Sequence, residues 1–164
     1  MKESTWARLA ALTAYTLWGF TFLASSRCQE YASPLVLLAV RFSLAFLVMV
    51  IPAALMGKLS YRGKPVGRIL LTALCEPVIY FVGEQYGLKY TNSSFSGLAI
   101  ALIPVVAMLA GVVFLREKPT GKQWLCSILS ISGVAAIALM SRKSGGTITG
   151  KGVLFLLMAV VSAA

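Results

Sequence analysis

Long apolar runs separated by short polar stretches dominate the chain. A helix rises 1.5 Å per residue, so roughly 20 largely uncharged residues are needed to cross the hydrocarbon core of a bilayer. Five runs have about that length, and a sixth opens at Lys151-Gly152 and continues to Ala164. The five are Trp6 to Ser25, Pro34 to Met56, Ile69 to Leu88, Phe95 to Leu115 and Trp124 to Met140. This pattern predicts an all-α, polytopic bundle of five membrane-spanning helices followed by a truncated sixth.

The position of charge within these runs argues against a soluble protein. Helices of soluble α-proteins carry a polar face at a 3.6-residue period, whereas Phe95 to Leu115 has no charged residue on any face. The first run is too long for the apolar part of a signal peptide, and Arg27-Cys28-Gln29-Glu30 is no small-residue cleavage site. We therefore expect a retained first helix and a multi-pass protein of the cell inner (plasma) membrane.

Basic residues give the chain a net charge of +10, and they concentrate at the ends of the apolar runs. A cytoplasmic N-terminus would place nine of the fifteen Lys and Arg inside and five outside, with Arg41 within the second run. The inside set is Lys2, Arg8, Lys58, Arg62, Lys64, Arg68, Arg116, Lys118 and Lys122; the outside set is Arg27, Lys89, Arg142, Lys143 and Lys151. The positive-inside rule thus predicts a cytoplasmic N-terminus, although the last three outside residues oppose it. Because the charge reports topology, we expect no nucleic-acid partner.

The chain contains no His, and all five of its acidic residues are Glu. A Ser-His or Cys-His nucleophile pair would lack its base, and an aspartyl dyad cannot be built. A zinc site would depend on Glu and on the scattered Cys28, Cys75 and Cys126. Phosphate-binding glycine loops are also missing. We therefore expect neither an enzyme nor a resident metal or cofactor.

The third run carries two carboxylates at membrane depth. A charge at the bilayer centre costs about 2.5 to 3.5 kcal/mol on insertion scales, so such groups usually face protein or water-filled space. Glu76, Tyr80 and Glu84 are spaced four apart. On a continuous helix the two glutamates would lie about 80° apart around the axis and about 12 Å apart along it. The spacing predicts one polar stripe, aimed at a neighbouring helix or a cavity.

Two prolines and two glycines predict local departures from straight helices. Pro77 removes a backbone donor and clashes with the preceding turn, so we expect a kink at Glu76. Pro104 predicts another kink in the uncharged fourth run. Gly83 and Gly87 form a G-x-x-x-G pattern, which allows another backbone to approach closely.

Several polar and aromatic residues have more than one interpretation. Glu84, one turn from the end of its run, could serve function or could snorkel or bind a tyrosine. Arg41 could neutralise a glutamate of the third run, orient an anionic substrate or snorkel outward, and pairing with an acid is the preferred interpretation. Tyr15 and Trp18, three apart, could form a pore wall. Packing, with Gly19 admitting a close neighbour, is the commoner role of such aromatics.

Taken in order, motifs along the chain resemble those of the EamA-type drug/metabolite transporters. They are Trp18-Gly19-x-x-Phe22, Pro34 with Arg41, Gly87-Leu88-Lys89-Tyr90-Thr91, Ala101-Leu102-x-Pro104, Leu115-x-Glu117, and Gly121 with Gly133-Val134. The resemblance implies a ten-helix carrier built from two five-helix repeats of opposite orientation. It also implies transport of small metabolites, often amino acids and commonly outward, with Glu117 in a structural role at a helix end.

The leading hypothesis is a secondary transporter of amino-acid-like or drug-like solutes. Residues 1–143 would form its first repeat, and 144–164 a loop and the truncated start of an inverted second. The predicted pathway residues are Tyr15, Trp18, Arg41, Glu76, Tyr80 and Glu84. Expected partners are a small-molecule solute, the lipid bilayer, and a missing second repeat or another copy. The alternatives are a non-transporting assembly subunit or scaffold, and a half-size carrier acting as a dimer.

Overall fold

A computed structural model describes residues 2–59, 63–143 and 148–164. Regular structure in these ranges is entirely helical. The helices are α1 (Lys2–Cys28), α2 (Pro34–Leu55), α3 (Val66–Ala73), α4 (Tyr80–Lys89), α5 (Ser93–Ile100), α6 (Ile103–Phe114), α7 (Gly121–Lys143) and α8 (Gly150–Ala163). Arg62 of the inside set and residues 144–147, at the predicted boundary between repeats, lie outside the described residues.

Four stretches of the described chain are long and apolar enough to cross a membrane. They are Thr5–Cys28, Pro34–Leu55, Val66–Lys89 and Ser93–Phe114, and they correspond to the first four predicted spans. The fifth predicted span falls within α7, which begins three residues earlier than Trp124 and has 23 residues. The all-helical fold is therefore confirmed for the described residues, while a fifth crossing and the cytoplasmic N-terminus remain predictions.

The third span is broken at the position expected from its proline. Glu76 has non-helical angles (φ −135°, ψ 114°) inside the irregular segment Leu74–Ile79, and the Glu76–Pro77 peptide is cis. The kink predicted at Pro77 is confirmed. It is a break in the helix and not only a change in the direction of its axis. The single stripe predicted for Glu76, Tyr80 and Glu84 is wrong, because a stripe requires the continuous helical phase that this break removes.

The fourth span is also interrupted near its middle. Its first half, α5, is capped by the Asn92 side chain, which accepts a hydrogen bond of 2.8 Å from the Phe95 amide. A turn at Ala101 and Leu102 follows, and Pro104 stands in the first turn of α6. Backbone N–H groups in a first turn have no acceptor within the helix, so the proline costs no hydrogen bond there. The predicted kink at Pro104 is thus confirmed as a break between two helices.

Glycines bring the backbones of α4 and α8 into close contact. A Cβ added to Gly83 would lie 2.7 Å from the carbonyl oxygen of Phe155 and 3.0 Å from the Cβ of Ala159. One added to Gly87 would lie 2.6 Å from two side-chain carbons of Leu156. The close approach predicted from the glycine pattern is confirmed, and the neighbour is the sixth apolar run.

The start of α8 is bound to the end of α4 through the backbone of Tyr90. The carbonyl oxygen of Tyr90 accepts hydrogen bonds from the Thr149 amide at 3.1 Å and from its Oγ1 at 2.9 Å. Thr149 also caps α8, accepting from the Gly152 amide. The ring of Phe155 stacks on Tyr86 and Tyr90, with ring centroids 5.3 and 6.1 Å away. These contacts make α4 and α8 antiparallel.

The main hydrophobic core lies around this helix pair and includes contributions from α1 and α5. Its buried members are Phe22, Tyr80, Phe95, Ala99, Ile100, Leu156, Ala159 and Val160. Large apolar side chains along α1 and α2 are mostly exposed, as expected for surfaces that face lipid or another protein unit. The packing role considered for Gly19 is not supported, since no described atom lies within 4 Å of a Cβ placed there.

Gly83→Ala tests the α4–α8 contact. The added methyl group meets a backbone carbonyl that cannot rotate away, so we expect a loss of about 1–3 kcal/mol in the free energy of unfolding, typical of overpacking. Gly133→Ala is the matched control, because a Cβ there has no neighbour within 4 Å. Thermal unfolding of both purified variants in detergent measures the difference. Equal stability of the two variants would contradict the contact.

Candidate functional site

A cavity of about 780 Å³ lies beside the two broken spans. Its wall comes from the middle of α1, from Glu76, from α5 and the turn after it, from the first turn of α6, and from the end of α8. The lining residues are Tyr15, Trp18, Gly19, Phe22, Leu23, Glu76, Ser93, Ser94, Gly97, Leu98, Ile100, Ala101, Ile103, Pro104 and Ala163. Three of the six predicted pathway residues, Tyr15, Trp18 and Glu76, are among them.

Aromatic residues of α1 form one wall of this cavity. Tyr15 and Trp18, one helical turn apart, stack with ring centroids 6.1 Å apart and planes inclined by 27°. Phe22, one turn further, is buried in the core and lies against Gly97. The helix thus presents a continuous apolar face, and the pore-wall interpretation of Tyr15 and Trp18 agrees with this placement.

Glu76 is the charged residue among the side chains that line this cavity in the described part of the chain. It is exposed and stands in the irregular segment of the third span. Ala101 and Pro104, at the break in the fourth span, line the same cavity. A single accessible carboxylate among apolar and hydroxyl groups suits a ligand with a cationic or hydrogen-bond-donating head and an apolar body.

The other three predicted residues form a separate cluster at α4, the second half of the third span, which contributes two of them. The Tyr80 hydroxyl donates a hydrogen bond of 2.5 Å to Glu84 Oε2, and Gln85 Nε2 lies 3.4 Å from Glu84 Oε1. Tyr80 and Glu84 are 1% and 2% exposed. Glu84 therefore binds a tyrosine, which was one of its possible roles. It does not snorkel to the surface, because it is buried.

Arg41 of α2 completes the cluster. Its guanidinium Nη1 is 3.8 Å from Glu84 Oε1, so the acid partner expected for Arg41 is present. The guanidinium carbon also lies 4.3 Å from the centroid of the Phe81 ring, a cation–π geometry. Arg41 does not line the main cavity. It lines a smaller one, of about 230 Å³, between α1, α2 and α4.

The sequence interpretation missed the amides that join α1 to this cluster. Gln29 Nε2 donates to the Gln85 carbonyl oxygen at 3.0 Å and to Gln85 Oε1 at 2.9 Å. Gln85 is 2% exposed, and Ser25 Oγ lies 3.4 Å from its Nε2. The sequence did contain a signal for this contact, because Gln85 follows Glu84 within an apolar run. A buried amide requires hydrogen-bond partners, so a partner for Gln85 from another segment could have been expected.

Comparison with known proteins agrees with the resemblance noted from the motifs. The model of the EamA-like transporter family matches residues 5–139. The chain belongs to the EamA-like transporter family. No solved structure matches the chain.

Several relatives in this family are similar to the chain over most of its length. An uncharacterized transporter, YcxC, of Bacillus subtilis (strain 168) is 35% identical over 99% of the chain and 52% of its own length. Protein PagO of Salmonella typhimurium is 28% identical over 98% of the chain and 53% of its own length. A probable terminal-alkyne amino-acid exporter of Streptantibioticus cattleyicolor is 30% identical over 60% of the chain and 33% of its own length. The chain spans about half the length of YcxC and PagO.

Tyr80→Phe tests the buried cluster. It keeps the ring and removes the hydroxyl that binds Glu84, so we expect a loss of about 1–3 kcal/mol in the free energy of unfolding, as when a buried polar group loses its hydrogen-bond partner. Tyr31→Phe is the control, since Tyr31 is 90% exposed. Unfolding of both variants in detergent is compared with the parent. A Tyr80→Phe variant as stable as the control would show that the hydroxyl contributes nothing to stability.

Proposed function

We propose that the chain forms one half of a secondary transporter that moves small, amino-acid-like or drug-like solutes outward across the plasma membrane. The observation that carries the proposal is the cavity of about 780 Å³ beside two mid-span helix breaks, with Glu76 accessible within it. Carriers commonly bind substrate where spanning helices are discontinuous near the midplane, because backbone groups freed there can contact the solute. Membership of a transporter family supports the same function.

Within this proposal Glu76 binds the amine of the solute or carries a proton, and Tyr15 and Trp18 contact its apolar part. Tyr80 and Glu84 are too deeply buried to meet a solute in the main cavity. Their proposed contribution to the pathway is to hold Arg41 and to fix α2 against α4. A probable amino-acid exporter among the similar proteins is consistent with an amine-bearing solute and with outward movement.

The proposed topology has five crossings and a cytoplasmic N-terminus. The hydrogen bonds between Thr149 and Tyr90 support placing the start of α8 and the end of the third span on the same side of the membrane. In the proposed topology the fourth span leads to the opposite side, and α7 crosses back. With 23 residues, α7 is about 35 Å long, which is enough to cross.

The proposed partner is a second unit of the same kind, either a following repeat or another copy of the chain. Residues 1–143 would be one repeat, and residues 144–164 would connect it to an inverted second. An odd number of crossings leaves the next repeat inverted, which suits alternating access. The half-length match to YcxC and the exposed apolar faces of α1 and α2 are consistent with such a partner.

Glu76→Gln tests the proposed substrate role. The chain is reconstituted in proteoliposomes together with the second unit proposed above, and uptake is measured for labelled phenylalanine, leucine and their decarboxylated amines. Loss of a charge-assisted contact should lower the uptake rate roughly tenfold or more, or change its pH profile. Glu30→Gln is the control, because Glu30 pairs with Arg27 on the surface. Unchanged rate and pH profile would reject the role of Glu76. Absence of flux, with misfolding of the Glu76 variant, would favour a scaffold.

Single cysteines test the proposed topology. Lys89→Cys, Lys118→Cys and Lys151→Cys are each introduced into a chain whose own three cysteines are replaced by Ser. A membrane-impermeant thiol reagent applied to intact cells should label positions 89 and 151, and position 118 should react only after lysis. Labelling of 118 and 151 from the same side would contradict the crossing by α7.

A further inference from the structure

The smaller cavity, of about 230 Å³, is an open pocket lined by three helices, near the ends of α1 and α4 and the start of α2. Ser25 and Cys28 of α1, Leu37, Leu38 and Arg41 of α2, and Gln85 of α4 are among its lining residues. Its volume is below the about 300 Å³ typical of sites for drug-sized ligands. The cavity therefore suits a molecule of only a few heavy atoms.

Arg41 presents unused hydrogen-bond donors beside this cavity. A guanidinium has five N–H groups, and no side chain or carbonyl of the described residues accepts a hydrogen bond from Arg41. Its distance of 3.8 Å to Glu84 exceeds that of a hydrogen bond, and its side chain is 37% exposed. Both oxygens of Glu84 already have other neighbours, the Tyr80 hydroxyl and the Gln85 amide. A cation with free donors next to a cavity selects anions.

The other residues that line the smaller cavity also favour an anionic ligand. Ser25 Oγ accepts a weak hydrogen bond of 3.4 Å from Gln85 Nε2, so the hydroxyl proton of Ser25 remains available to a ligand. Leu37 and Leu38 supply an apolar surface for a short alkyl group. Glu84 is the acidic group facing Arg41, and Glu30 pairs with Arg27 on the surface at 3.3 Å. A planar carboxylate fits the paired N–H groups of a guanidinium better than a spherical ion does.

We infer that the small cavity between α1, α2 and α4 is a binding site for a small monocarboxylate anion held by Arg41. The site is separate from the cavity at Glu76 and has the opposite charge preference. An anion bound there competes with Glu84 for Arg41, so its arrival loosens the attachment of α2 to α4. This inference does not depend on the transported solute, because it concerns a different cavity and a different charged group.

Cys28 lines the cavity and is an exposed thiol, so its rate of modification can be used to detect an anion bound beside it. In a chain carrying Cys75→Ser and Cys126→Ser, Cys28 is modified with the uncharged reagent methyl methanethiosulfonate. Sodium acetate is added at constant ionic strength, and acetamide serves as the uncharged ligand of the same shape. Acetate at ten times its Kd leaves about one-tenth of the sites free, so it should slow modification measurably, with roughly tenfold as the upper limit for complete shielding of the thiol. Acetamide should have no effect.

Variants of the charged pair separate binding from folding. Arg41→Lys should raise the half-protecting acetate concentration about tenfold, because lysine lacks the planar pair of donors. Glu84→Gln should lower that concentration by removing the competing carboxylate. The double variant Arg41→Gln with Glu84→Gln leaves no unpaired buried charge, so it should fold and show no protection by acetate. Arg27→Gln is the control for surface charge and should retain full protection.

Each measurement has an outcome that rejects the site. Equal protection by acetate and acetamide would mean that charge plays no part. Protection that persists in the folded double variant would exclude Arg41, and protection lost in Arg27→Gln would assign the effect to surface charge. Transport is not the readout, so failure here leaves the role of Glu76 untouched, and loss of transport in Glu76→Gln leaves this site untouched.

Discussion

Two glycines one helical turn apart allow the backbone of α8 to lie directly on α4, and this contact organises the described bundle. Between helices in a bilayer there is little hydrophobic driving force, so close packing and internal hydrogen bonds have to supply the association. Gly83 and Gly87 provide the packing, and the Tyr90 carbonyl provides hydrogen bonds to Thr149. The α4–α8 pair in turn places the end of α8 at the main cavity, beside the two interrupted spans.

The two glutamates of the third span have different surroundings because a helix break lies at one of them and not at the other. Glu76 lies where the backbone leaves the helix and faces open space, whereas Glu84 lies in regular helix among Tyr80, Gln85 and Arg41. A carboxylate in an apolar surrounding needs either solvent or several donors. The chain uses both solutions within eight residues. One arrangement leaves a group that can exchange ligands, and the other gives a fixed connection between helices.

The sequence was sufficient to predict four of the spans and the breaks in two of them, because run length and proline chemistry act locally. Pro77 and Pro104 interrupt helices where expected, and Gly83 and Gly87 admit a close neighbour. The division of the six candidate residues between the main cavity and the buried cluster could not be predicted. Helical phase across residues 74–79 depends on angles that no local rule supplies, and Gln29 meets Gln85 only through the packing of α1 on α4. Contacts between distant segments require the three-dimensional arrangement.

The interruption of the third span also has a consequence for biogenesis. Its half-helices α3 and α4 have 8 and 10 residues, so α4 is about 15 Å long and neither half could cross a bilayer alone. The chain emerges from the ribosome in order, and α8, which covers α4, is made some 60 residues after it. The third span must therefore enter the membrane with its glycine face uncovered. Its final packing can be completed only after the sixth apolar run has been synthesised, which makes assembly of this region a late step.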